Sequence, residues 1–246
     1  MKNATIEPPG RAPRRQASVI PLKKSPIRPN LPAQALSVAR QYRSAEEMVH
    51  ELRPTMPVHC LRPATIAATA KWFLKNFPGD VLYAVKTNPD KQVLAYLYRV
   101  GVSHFDVASL AEIKLVAENA PGAMMYFMHP VKSREAIHAA YFTYGVRDFS
   151  FDSQEELEKI INVTGNSQDL SLILRLAVPN TASELPLSGK FGATPEKAVK
   201  MLKAARKHAK KLGLSFHVGS QTMDPQAHVT ALTTLRASIL TSIMAP

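Results

Sequence analysis

The strongest constraint on the fold is a repeated alternation of short apolar runs with longer helical stretches, which begins near residue 55. Strands that alternate with helices of about 10–15 residues are typical of parallel βαβ units. We therefore predict an α/β protein in which each strand is followed by a helix or a long loop. The six predicted strands are 81–85, 102–107, 124–128, 146–151, 170–178 and 214–219, and 56–61 is a further strand candidate.

The starts of several helices are marked by capping residues and prolines. Capping boxes at Ser109 and Ser153 predict the beginning of two helices. Pro195 begins a long basic helix, since proline is favoured in the first helical turn. The predicted helices are 65–77, 91–100, 109–119, 133–144, 153–163, 195–212 and a segment from 225 onward.

Two architectures fit this alternation: a (β/α)8 barrel and an open doubly wound sheet. Neither a G-x-G-x-x-G nor a G-x-x-x-x-G-K-[ST] loop follows any predicted strand, which argues against a nucleotide-binding open sheet. In a barrel, functional side chains lie just past the carboxyl ends of the strands. That rule selects Lys86, Asp106, Ser109, His129, Asp152, Arg175, His217 and Ser220.

The net charge of +12 is concentrated in the N-terminal segment. Residues 1–43 hold nine Lys or Arg, one acidic residue and seven of the 19 prolines. Such a segment buries too little apolar surface to fold alone. We therefore predict a basic, proline-rich, disordered arm over residues 1–54 and a folded domain over residues 55–246. A contact of the arm with nucleic acid or an anionic surface is the less favoured interpretation of its charge.

Cysteine and hydropathy limit the remaining classes of protein. Cys60 is the one cysteine, which excludes a disulfide within the chain and a thiolate-rich metal site. No metal is predicted, and the single thiol fits a reducing compartment such as the cytoplasm. No apolar run reaches the roughly 18 residues of a transmembrane helix, and the N-terminus lacks the apolar core of a secretory signal. No membrane contact is expected.

Each candidate side chain has an ordinary structural alternative. Lys86 is either a desolvated lysine able to attack a carbonyl or a solvated strand-end lysine. His217 either stacks on a planar ligand and moves a proton, or is a hydrogen-bonded core histidine. Arg175 interrupts an apolar run and needs an anionic partner, which is either a protein carboxylate or a ligand. Asp106 and Glu112 either orient a basic side chain or stabilise a helix dipole.

Six short motifs occur along the chain in a fixed order: Y-A-V-K-T-N, F-D-V-A-S, F-D-S, L-R-L, K-F-G-A and S-F-H-V-G-S. Together they resemble the fold-type III pyridoxal-phosphate-dependent decarboxylases. Within that group the nearest likeness is to eukaryotic-type ornithine decarboxylases and their bacterial ornithine/lysine relatives, over roughly residues 55–235. The resemblance implies a barrel of the alanine racemase type, pyridoxal 5'-phosphate as cofactor and a homodimer.

The resemblance also assigns catalytic and cofactor-binding roles to individual residues. Lys86 would hold the cofactor as a Schiff base, and Asp106 and Glu112 would support the surroundings of that lysine. Arg175 would contact the cofactor region from the middle strand. The implied reaction is the loss of carboxylate from a basic amino acid followed by reprotonation. L-ornithine, which gives putrescine for polyamine biosynthesis, is the first expected substrate and L-lysine the second.

Three further roles follow from the later motifs. His217 would stack on the pyridine ring and act in catalysis, and Ser220 would bind the phosphate. Lys190, in K-F-G-A, would close a loop of about residues 179–189 and form a salt bridge across the dimer interface. These roles are implied by the resemblance and not by the spacing of the residues.

The family pattern contains further segments that are absent from these 246 residues. It continues with a glycine-rich phosphate loop, a Glu-Pro-Gly-Arg segment and a β-rich domain with a Cys-Asp pair, whereas no glycine follows Gly219. We therefore expect a truncated chain with a partial barrel, without the C-terminal strands and the β domain, and with low activity. The alternative is a non-catalytic relative that dimerises with a full-length decarboxylase.

Overall fold

The folded part of the chain is built around one sheet of six strands. The computed structural model describes residues 40–178 and 189–244. The strands are β1 Leu82–Ala84, β2 His104–Val107, β3 Met124–Phe127, β4 Asp148–Phe151, β5 Leu170–Arg175 and β6 Ala209–Ser215. The helices are α1 Ala45–Leu52, α2 Pro63–Asn76, α3 Lys91–Arg99, α4 Leu110–Asn119, α5 Arg134–His138, α6 Gln154–Val163, α7 Pro195–Arg206 and α8 Gln226–Met244.

All neighbouring strands are parallel, and their order in the sheet is their order along the chain. Helices connect successive strands, as in consecutive βα units of a (β/α)8 barrel. Among the described residues β1 and β6 are each paired on one side only, so the barrel is not closed. The predicted partial barrel is therefore confirmed. Its parallel arrangement places the carboxyl ends of all six strands at one edge.

One face of the sheet packs against the helices. Phe105, Phe127 and Phe149 are fully buried and form one apolar cluster with Ile113 of α4 and Ile160 of α6. Burying a side chain of this size stabilises the fold by about 1.5–3 kcal/mol. This layer holds the strands in register and so fixes the positions of their carboxyl ends.

The opposite face of the sheet is polar. Successive strand residues point to opposite faces, so Asp106, Tyr126 and Asp148, which are register partners, share this second face. The Tyr126 hydroxyl lies 2.9 Å from His104 Nδ1. Burial, with the charge of Asp148 next, raises the pKa of Tyr126 to about 12, and burial also raises the pKa of Asp148. The interior of the partial barrel is thus lined by hydrogen-bonding groups.

The most informative difference from the sequence-based prediction concerns the end of α7. The helix was predicted to reach residue 212, but it ends at Arg206, and β6 begins at Ala209. Pairing with β5 gives this segment its backbone hydrogen bonds, while the exposed Lys210 and Lys211 suit an outer strand. Because β6 ends at Ser215, His217 lies beyond the strand and not within it.

Three smaller differences have local causes. The run 56–61 is not a strand, since Pro57 lacks a backbone N–H and Met56 is 74% exposed. The helix predicted over 133–144 is a short α5 followed by a π-helical turn, Ala139–Thr143. Helix α1, within the predicted arm, was not foreseen, although Ser44 caps it by accepting from the Glu47 N–H.

Several predictions concern residues beyond this description. The basic arm over residues 1–39 and most of the loop 179–189 lie outside the described residues. The division of the chain near residue 54 stays a prediction. Among the described residues no helix has the length and hydropathy needed to cross a membrane.

The buried aromatic layer gives a test of the fold. Replacing Phe149 with Ala removes a fully buried ring and should lower the free energy of unfolding by about 3–5 kcal/mol. Phe142 is the matched control, since it is 56% exposed, and Phe142→Ala should cost less than about 1.5 kcal/mol. Denaturant unfolding followed by circular dichroism measures both. Equal losses in the two variants would contradict the assignment of the core.

Candidate functional site

The carboxyl edge of the sheet contains a cavity of about 360 Å³. A volume of this size is within the range typical of small-molecule sites. Its charged and imidazole groups come from the ends of five strands or the turns that follow them. They are Lys86, Asp106, His129, Arg175 and His217.

A second cavity, of about 720 Å³, lies between α2, β1 and α3. It is larger, but its lining is mainly apolar and contains no carboxylate or imidazole. Arg62 and Cys60 are the chemically distinctive side chains there. The smaller cavity is therefore the candidate for catalysis, because it alone of these two combines acids, bases and an amine.

Lys86 reaches the cavity from a single 3-10 turn, Val85–Thr87, that follows β1. The turn is held at both sides: Val85 is fully buried in the core, and the Thr87 hydroxyl donates to the Ala84 carbonyl oxygen at 2.6 Å. The strand thus ends one residue earlier than the apolar run suggests. As a result the lysine projects from an anchored turn and not from a free loop.

Asp106 is the one carboxylate among the residues that line this cavity. Burial raises the pKa of Asp106, the charge of Lys86 opposes this rise, and the charge of Glu112 adds to it. Glu112 itself does not line the cavity; its Oε2 accepts from the Ala108 N–H at 2.7 Å. Ala108 lines the cavity, so Glu112 acts on the site by fixing the turn between β2 and α4.

Arg175 ends β5 and brings a guanidinium to the cavity. Burial lowers the pKa of Arg175, and the charges of Asp152 and Asp106 oppose that effect. None of the described carboxylates forms an ion pair with it. The guanidinium lies 5.3 Å from the ring centroid of Phe191. Its planar group has an aromatic contact, and its N–H groups, which pair with none of the described carboxylates, are donors suited to an anionic ligand.

Phe191 is a functional candidate that the sequence analysis missed. Its ring is 5.5 Å from that of His129, and it lines the cavity beside Arg175. The next residue, Gly192, has φ +106° and donates its N–H to Asp152 Oδ2 at 2.9 Å. A Cβ at Gly192 would lie 2.5 Å from the Ala177 nitrogen. The glycine after the phenylalanine was the available signal, since it marks a close backbone approach.

The two imidazoles of the cavity are held in the same way. His129 Nδ1 accepts from the Val131 N–H at 3.1 Å, and His217 Nδ1 accepts from the Gly219 N–H at 2.9 Å. With Nδ1 acting as an acceptor, each neutral ring carries its hydrogen on Nε2. Burial lowers the pKa of both histidines, and the positive charges of Arg175 and others add to the effect. Both rings are therefore neutral N–H donors near pH 7.

The remaining predicted residues lie near the cavity but do not line it. Ser109 caps α4 by accepting from the Glu112 N–H, and Asp152 holds the loop that carries Phe191. Ser220 follows the Gly219 turn. Lys190 is exposed next to the undescribed residues 179–188. Among the described residues no group of three His, Cys, Asp or Glu side chains is placed to bind a metal.

The chemistry of the cavity follows from this set of groups. It combines two basic side chains, two neutral imidazole N–H donors and one carboxylate with a raised pKa. Such a site favours a planar, anionic ligand that carries a carbonyl within reach of the Lys86 amine.

Comparison with known proteins agrees with this geometry. Residues 63–241 match the family model described as pyridoxal-dependent decarboxylase, pyridoxal binding domain. A lysine/ornithine decarboxylase of Selenomonas ruminantium is 33% identical over 204 residues, which are 80% of this chain and 50% of that protein. An ornithine decarboxylase of Panagrellus redivivus is 42% identical over 179 residues, or 72% of this chain and 40% of the relative.

Two further matches broaden the comparison. Antizyme inhibitor 2 of Xenopus laevis is 35% identical over 168 residues, which are 67% of this chain and 36% of that protein. A variant of the Selenomonas ruminantium lysine decarboxylase, solved with pyridoxal phosphate, superposes with a TM-score of 0.72 at 32% identity, covering 84% of this chain and 54% of that one. The chain spans half or less of the length of the curated relatives named here.

The neutral state of the two imidazoles can be tested by proton NMR. The ring resonances that disappear in His129→Gln and His217→Gln should titrate in the wild-type chain with midpoints below 6.5, the ordinary histidine value. A depressed pKa means that the unfolded chain binds a proton first as the pH falls. Each histidine should therefore lower the stability as the pH falls from 6.5 toward its own midpoint. A midpoint above 6.5 for either ring would contradict this description of the cavity.

Proposed function

The chain belongs to the family of pyridoxal-dependent decarboxylases, and we propose that it binds pyridoxal 5'-phosphate and acts in the decarboxylation of a basic amino acid. One observation carries the proposal: the Lys86 amine, the Arg175 guanidinium and the neutral His217 ring meet in one cavity at the carboxyl ends of the strands. The six sequence motifs and the family match support it independently.

The residues present fit this cofactor. A planar aromatic aldehyde with a phosphate needs an amine for the carbonyl, a flat group for the ring and donors for the anion. Lys86 supplies the amine, and His217 supplies a neutral ring held at Nδ1 by Gly219. Arg175 supplies a guanidinium without an ion pair to any described carboxylate. The phosphate is assigned to Ser220 and the Gly219 turn as part of the proposal.

The roles of the side chains in the reaction follow from their chemistry. The bound cofactor supplies an electron sink for the electron pair left behind when the substrate carboxylate departs. Lys86 Nζ would hold the cofactor, and its amine would carry a proton within the cavity that can return to the substrate carbon. Asp106 balances the positive charges of Lys86 and Arg175. Phe191 and His129 form a wall that limits the access of water to the reacting atoms.

The proposed substrate class is supported by the names of the matched relatives. The matched relatives include decarboxylases named for ornithine and for lysine together with ornithine. We propose L-ornithine as the first substrate and L-lysine as the second. A homodimer, the interface role of Lys190, a place in polyamine biosynthesis and a cytoplasmic location stay predictions.

A second function is favoured by one specific match. A relative with similar coverage is named antizyme inhibitor 2, and this name describes inhibition of another protein and not a reaction. The chain would then act by associating with a full-length decarboxylase. Retention of an amine, a guanidinium and a neutral imidazole around one cavity favours cofactor binding over this alternative.

The proposed function is tested by adding pyridoxal phosphate to the purified chain. We expect a change in cofactor absorbance and, after borohydride reduction, a cofactor adduct that mass spectrometry locates at Lys86. Lys86→Ala should abolish both signals and any release of CO2 from L-ornithine, because no other lysine lines the cavity. Lys91→Ala, an exposed lysine at the start of α3, is the matched control and should behave like wild type.

Two results would decide against the proposal. An unchanged spectrum in wild type would show that the cavity does not hold the cofactor. If the adduct were spread over surface lysines, and Lys86→Ala and Lys91→Ala were labelled equally, the cofactor would be reacting non-specifically and not in the cavity. Cofactor binding by wild type without CO2 release, together with co-purification of a full-length decarboxylase, would favour the second function.

A further inference from the structure

We propose that Lys132 is a positioning residue whose buried ammonium fixes the wall of the cavity formed by His129 and Pro130. The inference rests on the proposed function for its meaning in catalysis. Its structural part concerns this chain alone. Lys132 does not line the cavity, and it lies five residues beyond the end of β3.

The ammonium of Lys132 has a complete set of partners. Only 4% of the residue is exposed. Its Nζ donates to the carbonyl oxygens of Ser150 at 2.5 Å, His129 at 2.9 Å and Pro130 at 3.5 Å, and it forms an ion pair with Glu156 Oε1 at 3.0 Å. An ammonium has three protons to donate, and the three carbonyl oxygens match that number.

The two carbonyl groups belong to neighbouring chain segments where the sheet no longer joins them. The register of β3 with β4 ends at Phe127 and Phe149, although β4 continues to Phe151. Ser150 follows the last residue of β4 that pairs with β3, and His129 follows β3 by two residues. The Lys132 ammonium therefore connects the two segments beyond the point at which backbone pairing stops.

This connection acts directly on the cavity. His129 and Pro130 both line it, and the His129 ring contacts Phe191. The charge of Lys132 also reaches the ring: after burial, it is the largest cause of the lowered pKa of His129, followed by Arg175 and Lys86. Lys132 thus holds the His129 backbone and contributes to the lowered pKa of the His129 side chain.

Burying the Lys132 ammonium costs desolvation free energy, which packing alone would not require. An apolar side chain of similar length could fill the same volume without a desolvation penalty. Burial lowers the pKa of Lys132 to about 8, and Glu156 opposes that effect. Lys159 and Asp152 are the other charged groups that face it. Glu156 also pairs with Lys159 at 2.5 Å, so the carboxylate keeps a partner when Lys132 is replaced.

The test compares Lys132→Met with Lys159→Met in the full chain. Both remove one cation from Glu156, but only Lys132 touches the cavity wall. In Lys132→Met we expect the NMR titration midpoint of His129 to rise while that of His217 stays unchanged. We also expect pyridoxal phosphate to bind with a Kd on the order of 10-fold weaker, because the wall is displaced. Lys159→Met should leave both quantities as in wild type.

Two additions keep the test decisive if Lys132→Met does not fold. Lys132→Met combined with Glu156→Gln removes both buried charges and should show the same two changes. In the wild-type chain, the His129 resonance should shift a second time as the pH rises through about 8, when Lys132 loses its proton. The proposal would be overturned if the His129 resonance did not shift near pH 8 in the wild-type chain and if the double variant kept the wild-type His129 midpoint and cofactor affinity.

The two readouts separate this inference from the proposed function. If wild type fails to bind pyridoxal phosphate, the proposed function fails, but the His129 titration still tests the role of Lys132. If wild type binds the cofactor and the folded Lys132 variants bind it equally well with an unshifted His129, the inference fails alone. A lower melting temperature with both readouts unchanged would assign Lys132 to stability only and would also overturn it.

Discussion

Parallel pairing of six strands is the constraint on which the rest of the structure depends. Side chains alternate between the two faces of each strand, and one register runs through Asp106, Tyr126, Asp148 and Ser171. The face that holds phenylalanines packs against helices, so the other face must carry the polar groups. At the carboxyl edge this same alternation brings Asp106 and Arg175 into one cavity with Lys86. The site is thus a consequence of register and not of any single loop.

Much of this arrangement could be predicted from sequence. Alternating apolar runs and capping boxes are local signals, and they located the strands and most helix starts. Lys86, Asp106, Arg175 and His217 were selected by the rule that places functional groups at strand ends, and all four line one cavity. The end of α7 was predicted wrongly, because Lys210 and Lys211 continue the helical sequence pattern. In the structure their segment pairs with β5 instead, which a local pattern does not show.

The contributions of Phe191 and Lys132 could not be predicted in the same way. Each acts through contacts between segments that lie far apart along the chain: Phe191 through Asp152 and Gly192, Lys132 through Ser150 and Glu156. A sequence shows the residue types but not which carbonyl oxygen meets which ammonium. Positions that support the cavity from behind its lining therefore become visible only in the folded structure, whereas several positions that line the cavity can be predicted from the sequence pattern.

The two outer strands differ in a way that affects how the chain meets other molecules. β6 displays Lys210 and Lys211, whose charges repel a second edge. β1 has no such charges, and its residues line the mainly apolar 720 Å³ cavity together with Phe73 of α2, which is 46% exposed. The two edges of the sheet therefore differ: the β6 edge is charged, and the β1 edge is apolar. An added strand would meet less electrostatic repulsion at the β1 edge than at the β6 edge.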